Sequence, residues 1–264
     1  MQFPGKIDRR YHLIIEGIFS NMQTTKYKLF SIVMAGCFLF LVLTSLAMFF
    51  YPGGTRHAPG TKGYLFFENF FSELGLTRTY SGGSNNVSFL LFTVALALAG
   101  LALALYFIIS PSLFWNSRIT RILSLFGTFF GILSGLSFIG VAFTPANLYL
   151  VPHRLFVQMA FTTFFVGVVF YALAIFLNRS YPNFYALVNI AFGALLGVYI
   201  WLLFFGPSTN TPSGLTIQVA GQKIIAYAAI ISVFIQAYGS RSKTVIQSEE
   251  NRAGKLSNQV PTAN

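Results

Sequence analysis

Charged residues are scarce in this sequence: they make up 9% of its 264 residues, and only six are acidic. Soluble domains devote about a quarter of their residues to charge, so this chain could not cover a water-facing surface. That excludes a cytosolic enzyme and a disordered regulator. The single cysteine, Cys37, excludes a secreted domain held by disulfides. Hydrophobic residues account for 55% of the chain and its mean hydropathy is +0.67, which indicates a protein embedded in a lipid bilayer.

Six nearly continuous apolar runs are each long enough to cross a bilayer as a helix. At about 1.5 Å per residue, about twenty residues cover the roughly 30 Å hydrocarbon core. The short connections between the later runs are rich in Pro, Ser, Asn and Gly, which is typical of turns. The sequence therefore predicts an all-α integral membrane bundle over residues 29–238, with six transmembrane helices over residues 29–51, 87–109, 119–143, 155–177, 184–205 and 217–238.

The distribution of positive charge predicts the orientation of the bundle. Twelve of the 17 Lys and Arg residues fall on the side that carries both termini, so the positive-inside bias places both termini in the cytoplasm and the protein in the plasma (cytoplasmic) membrane. The net charge of +11 indicates attraction to anionic lipid headgroups. Because the basic residues are scattered over loops and tails, nucleic acid is not an expected partner. Membrane lipids are, and a homo-oligomer or a larger membrane complex stays open.

Two terminal segments flank the predicted bundle. Residues 1–28 form a cytoplasmic segment whose apolar residues between positions 11 and 19 could lie as a helix on the inner membrane surface. Residues 239–264 contain no aromatic residue and few apolar ones, a composition that predicts a disordered cytoplasmic tail.

The third apolar run carries small residues at three- and four-residue spacing, which places them on one helix face. Such a face favours close helix contact, and we expect a compact bundle packed through it. A pore lined by the same residues is the alternative, although no run shows the ring of charges that a water-filled path requires. The residues are Ser124, Gly127, Gly131, Ser134, Gly135 and Ser137.

The longest connection, residues 52–86, follows the first apolar run. A loop of this length usually has a function or a structure of its own. On a helical wheel, residues 63–75 place Glu68, Asn69, Ser72 and Glu73 on one arc and the phenylalanines opposite. This pattern predicts an amphipathic helix in the first extracytoplasmic loop, lying in the outer interface or over the mouth of the bundle.

Polar residues that could form a site collect on this outer side. Lys223 lies near the outer end of the last helix, where a buried ammonium needs a partner, and the only acids on this side are Glu68 and Glu73. We therefore predict an ion pair between Lys223 and Glu73. With His153, Arg154 and Gln222, these residues form a candidate ligand site in which Arg154 and Lys223 would hold a lipid headgroup phosphate.

Other functions remain open on the same residues. Ser72, His153 and Glu73 supply the residue types of a nucleophile, a base and an orienting carboxylate, so a membrane-embedded lipid hydrolase or transferase is one alternative. A small-solute transporter and a structural subunit of a larger complex are two others. Neither a metal nor a cofactor is expected, because the three histidines and few acids show no ligand spacing.

Two short motifs resemble those of the DUF998 family of small polytopic membrane proteins, which is distantly similar to the Frag1/DRAM/Sfk1 group. The first is Phe70-Phe71-Ser72-Glu73-Leu74-Gly75, and the second is Gly140-Val141-Ala142-Phe143-Thr144-Pro145 followed by Pro152-His153. The sequence has Glu73 where the family usually has Asp, and Asn147 where an acid is expected. The resemblance covers about residues 29–238 and implies six spans and a lipid-related role, with no assigned reaction.

Overall fold

The structure, a computed structural model, describes the backbone of residues 9–259 and the side chains of residues 22–244. This part of the chain contains six long helices. All six are long and apolar enough to cross a membrane. The prediction of an all-α bundle with six transmembrane helices is therefore confirmed. The helices are α1 (Arg9–Phe49), α2 (Asn86–Ile109), α3 (Arg118–Ala142), α4 (Leu150–Leu177), α5 (Asn183–Phe205) and α6 (Pro212–Gln259).

The first and last helices are longer than the sequence predicts. Helix α1 is continuous from Arg9 to Phe49 and thus runs through most of the predicted N-terminal segment into the first span. Helix α6 continues to Gln259, where the sequence predicts a disordered tail from residue 239. The first turns beyond residue 239 pack against the α4–α5 connection: Lys243 is buried and donates to the Ser180 carbonyl, and the Ser240 and Tyr181 hydroxyls are hydrogen-bonded at 3.0 Å. Residues 1–8 and 260–264 lie outside the described part of the chain.

The helices form a closed ring in chain order. Each packs against the next, and α6 returns to pack against α1. The core is rich in aromatic side chains, and the contact between the rings of Phe161 on α4 and Tyr199 on α5, whose centroids are 4.8 Å apart, is typical. We call the end of the bundle that carries residues 50–85 the loop end, and the opposite end, where α1 begins and α6 finishes, the terminal end.

Helices α2, α3 and α4 approach closely at the small residues. The six small residues predicted to form a packing face on α3 are all buried. At the α2–α3 contact, a Cβ atom added to Gly135 would lie 2.6 Å from the Gly100 carbonyl oxygen and 2.9 Å from the Ala104 nitrogen. Only glycine allows two backbones to come this close.

The long loop adopts mostly irregular structure. It contains one 3-10 helix, Phe71–Gly75, and two isolated bridges, Gly53 to Lys62 and Arg78 to Ser84. Gly53 has φ 132°, and a Cβ atom there would lie 2.3 Å from the Thr61 carbonyl oxygen, so this tight crossing requires glycine.

The predicted amphipathic helix over residues 63–75 is present only at its end, as the 3-10 helix. Upstream, side chains take the place of helical backbone partners: Asn69 Oδ1 accepts from the Leu65 N–H at 2.9 Å, and the Tyr64 hydroxyl donates to the carbonyls of Asn69 and Phe70 at 3.0 Å. The expected faces do not separate either: Asn69 is fully buried and Phe67 is 62% exposed, whereas Phe71 is buried as expected.

Substitution of Gly135 by alanine tests the close α2–α3 contact. We expect Gly135→Ala to destabilise the protein by about 1–3 kcal/mol, because the added methyl group meets backbone atoms that cannot move independently. The control is Gly197→Ala on α5, whose Cβ atom would lie 3.5 Å from the Phe165 ring. It should leave the apparent unfolding temperature in detergent unchanged or raise it. Equal effects of the two variants would contradict this account of the packing.

Candidate functional site

Asn69 is the centre of the polar network at the loop end. Its side chain is fully buried, and Nδ2 donates to the Gly54 carbonyl at 2.9 Å and to Glu73 Oε2 at 2.7 Å. Its carbonyl oxygen accepts from Tyr64 and, at 2.5 Å, from Lys223 Nζ. One residue thus joins three parts of the loop to α6.

Lys223 places a positive charge beneath the loop, with only 2% of its surface exposed. Besides the Asn69 carbonyl, its ammonium faces the rings of Tyr64 and Phe66, whose centroids lie 5.2 and 5.0 Å from Nζ. Carbonyl and aromatic faces together compensate the ammonium for lost water. In place of the predicted direct ion pair with Glu73, Asn69 links the two residues: its carbonyl accepts from Lys223 and its side-chain amide donates to Glu73.

Glu73 is the acid of this network and is 5% exposed. Burial raises the pKa of its carboxyl group to about 7, although the Asn69 amide and the charges of Arg56 and Lys223 oppose that rise. The carboxyl of Glu73 therefore titrates near neutral pH.

Tyr51 lies near this carboxyl. Its buried hydroxyl has no hydrogen-bond partner within the residues described. Burial and the nearby Glu73 charge raise the Tyr51 pKa.

Gln222 fixes the 3-10 helix to α6. Its Oε1 accepts a 2.7 Å hydrogen bond from the Phe71 N–H. The Phe71 ring then packs into the bundle, stacked on Phe40 of α1 at 5.8 Å and against Tyr227 of α6 at 5.7 Å. The 3-10 helix therefore closes the loop end of the bundle.

The other predicted site residues lie apart from this network. His153 is buried at the start of α4, and its Nδ1–H donates to the Thr144 carbonyl at 2.7 Å, which closes the turn between α3 and α4. Arg154 is exposed. Glu68 is exposed and accepts from Thr55 at 3.4 Å. Hydrogen bonds in the described part of the chain do not connect Ser72, His153 and Glu73 as a catalytic triad.

Several members of the network carry no signal in the sequence. Tyr64 has the appearance of an ordinary interfacial aromatic residue, and its hydrogen bonds are to backbone carbonyls. Arg56 and His57 both form hydrogen bonds with Thr209 in the α5–α6 turn, at 2.5 Å and 3.1 Å. These contacts join two loops that are far apart in sequence, so local patterns could not reveal them.

A cavity of about 100 Å³ lies inside the helix ring, directly beneath the 3-10 helix. Five helices contribute apolar walls, among them Phe40, Leu96, Phe138, Phe161 and Ala226. Ser72 and Gln222 are polar and mark its loop end. From Gln222 the lining follows α6 to Val233, eleven residues or about 16 Å along the helix axis. Along this length the cavity is lined almost entirely by hydrocarbon groups.

Neither a metal centre nor a known relative defines the site. Within residues 22–244, no three His, Cys, Asp or Glu side chains lie close enough together to hold a metal ion. Comparison of the chain with protein-family models, with curated proteins and with solved structures gives no match. Its function must therefore be argued from the cavity and the network above it.

Removal of the Asn69 side chain tests the role of the network. Asn69→Ala deletes three hydrogen bonds of a fully buried amide, and we expect trypsin to cut the loop at Lys62 or Arg78 at least tenfold faster. The control, Asn210→Ala, changes an exposed turn residue and should leave the cleavage rate unchanged. Equal cleavage of the two variants would show that Asn69 does not hold the loop.

The raised pKa of Glu73 predicts a pH-dependent stability. Because the folded-state pKa of about 7 exceeds the usual carboxyl value, the stability given by protonated Glu73 is complete below about pH 4.5 and is lost as the pH rises through about 7. Glu73→Gln keeps the hydrogen-bond acceptor but cannot ionise. Thermal unfolding in detergent from pH 5 to 8 should show the variant gaining stability over wild type as the pH rises. The exposed-site variant Glu68→Gln serves as control, and an equal gain there would contradict the assignment.

Proposed function

We propose that this membrane protein binds a lipid by enclosing one hydrocarbon chain in the cavity of its helix ring. The observation that carries the proposal is the lining itself: five helices supply apolar side chains, and the only polar groups apart from the Cys37 thiol are Ser72 and Gln222 at one end. Ligand cavities are typically apolar with a few polar groups that fix orientation.

The shape of the cavity limits what it can hold. An engineered apolar cavity of about 150 Å³ accepts benzene, so about 100 Å³ accommodates part of one chain and not a whole two-chain lipid. Spread over about 16 Å of helix, this volume suits an extended alkyl or isoprenoid segment. Because a bilayer is as apolar as the cavity, binding depends on close dispersion contacts with the walls and not on the hydrophobic effect.

The polar network above the cavity acts as its closure in this proposal. Lys223 and Gln222 hold the loop backbone in place, so the Phe71 ring covers the cavity. The predicted grip of Lys223 on a headgroup phosphate is not part of the proposal, since its ammonium already binds the Asn69 carbonyl. The resemblance to DUF998 would agree with a lipid-related role and stays a prediction.

We also propose that the terminal end faces the cytoplasm and that the host membrane is the plasma membrane. The positive-inside bias supports this orientation. Arg118, Arg179, Arg241 and Lys243 lie at or near that end of helices α3 to α6.

A cavity-filling substitution tests lipid enclosure. Ala226→Leu adds three carbon atoms to the cavity wall and should abolish retention of methyl oleate, a single-chain probe, measured by native mass spectrometry in mild detergent. Ala194→Leu makes the same change on the exposed face of α5 and should retain one equivalent, as wild type does. Both variants must elute as monodisperse species. If Ala226→Leu retains the probe as wild type does, the proposed function is wrong.

A further inference from the structure

A second, much smaller cavity lies next to the first, further from the loop. Its volume is about 10 Å³, and it shares Phe164 and Val233 with the walls of the larger cavity. Its lining includes more polar residues than that of its neighbour: Tyr106, Tyr171, Asn189, Ser232 and Gln236. The two cavities form a series along the bundle, and these polar residues lie at its end towards the terminal end.

One hydrogen-bond acceptor in the small cavity lacks a donor. Gln236 is 2% exposed, and its Nε2 donates to the Tyr185 carbonyl at 2.7 Å, but its Oε1 has no partner within residues 22–244. A buried acceptor without a donor costs about 1–3 kcal/mol. The Tyr185 carbonyl can only accept, which fixes the amide orientation and leaves Oε1 as an acceptor that a bound molecule could satisfy.

The size and charge of the two cavities define the class of that molecule. About 10 Å³ is just enough for one oxygen-sized group, and neither lining contains an Asp, Glu, Lys, Arg or His side chain. A carboxylate or phosphate would be buried here without a counter-charge, which is strongly unfavourable. A neutral hydroxyl group has the right size, supplies the missing donor, and can accept from a neighbouring Ser232 or Asn189.

Building on the proposed function, we infer that the ligand is a neutral single-chain amphiphile with a terminal hydroxyl, such as a long-chain or isoprenoid alcohol. Its chain lies in the large cavity, and its hydroxyl donates to Gln236 Oε1 in the small one. Gln236 lies fourteen residues, or about 21 Å along the helix axis, beyond Gln222 at the loop end of the large cavity. The polar end of the ligand therefore points towards the terminal end of the bundle and its chain towards the loop.

Three probes with the same chain and different ends test this inference: oleyl alcohol, methyl oleate and oleic acid. Competition against radiolabelled oleyl alcohol, at a pH where oleic acid is ionised, should rank the alcohol three- to tenfold above the ester and the acid last. Gln236→Met keeps the length of the side chain without the acceptor and should bring the alcohol down to the affinity of the ester. Gln218→Met, which alters a glutamine near the loop end of the same helix, should keep the preference.

The outcomes separate the two proposals. If Ala226→Leu removes binding of the alcohol and the ester while Gln236→Met leaves their ratio unchanged, the chain site stands and the hydroxyl site is wrong, with a water molecule as the partner of Oε1. If Ala226→Leu removes neither, both proposals fail. Should Gln236→Met not fold, the three probes are compared on the wild-type protein alone, and an alcohol that binds no more tightly than the ester overturns the inference.

Discussion

The hydrogen bond from Lys223 to the Asn69 carbonyl is the interaction on which the loop end of this protein depends. An ammonium group removed from water costs several kcal/mol unless the protein replaces its hydration. Here the replacement comes from one carbonyl oxygen and two aromatic faces, all supplied by the loop. Lys223 can therefore stay buried only while the loop is folded. The loop in turn is attached to α6 through Lys223, so the burial of Lys223 and the folding of the loop depend on each other.

This mutual dependence reaches the cavity through the neighbouring residue Gln222. When Lys223 holds Asn69, the following segment is placed so that the Phe71 N–H meets Gln222 and its ring enters the bundle. Glu73 lies in the same short helix and is tied to the Asn69 amide. A change in the charge of that carboxyl therefore acts on the residues that close the cavity.

The sequence was sufficient for the spans because the bilayer imposes their length and apolar character. It also singled out Glu73, Gln222 and Lys223, since polar residues are costly in that setting, and the structure places all three in the hydrogen bonds between the loop and α6. The prediction for the partner of Lys223 was wrong: the sequence predicts Glu73, whereas the ammonium donates to the Asn69 carbonyl. An acid is visible in a sequence, whereas every residue carries a carbonyl, and only the path of the loop decides which one meets the ammonium. The helical wheel failed for the same reason: it cannot represent Asn69 bonding to the loop backbone.

Small residues show most clearly why the cavity could not be predicted. Gly100 and Gly135 bring two helices into backbone contact, yet alanines on α2 and α6, including Ala102 and Ala229, line an open space. In the ring, α1 packs between α2 and α6, so these alanines face one another across the centre without closing it. At the α2–α3 contact and at the cavity alike, a small side chain leaves space between two helices. At the cavity, α1 packs between α2 and α6 and keeps that space open. A local sequence pattern on α2 or α6 does not contain this information about α1.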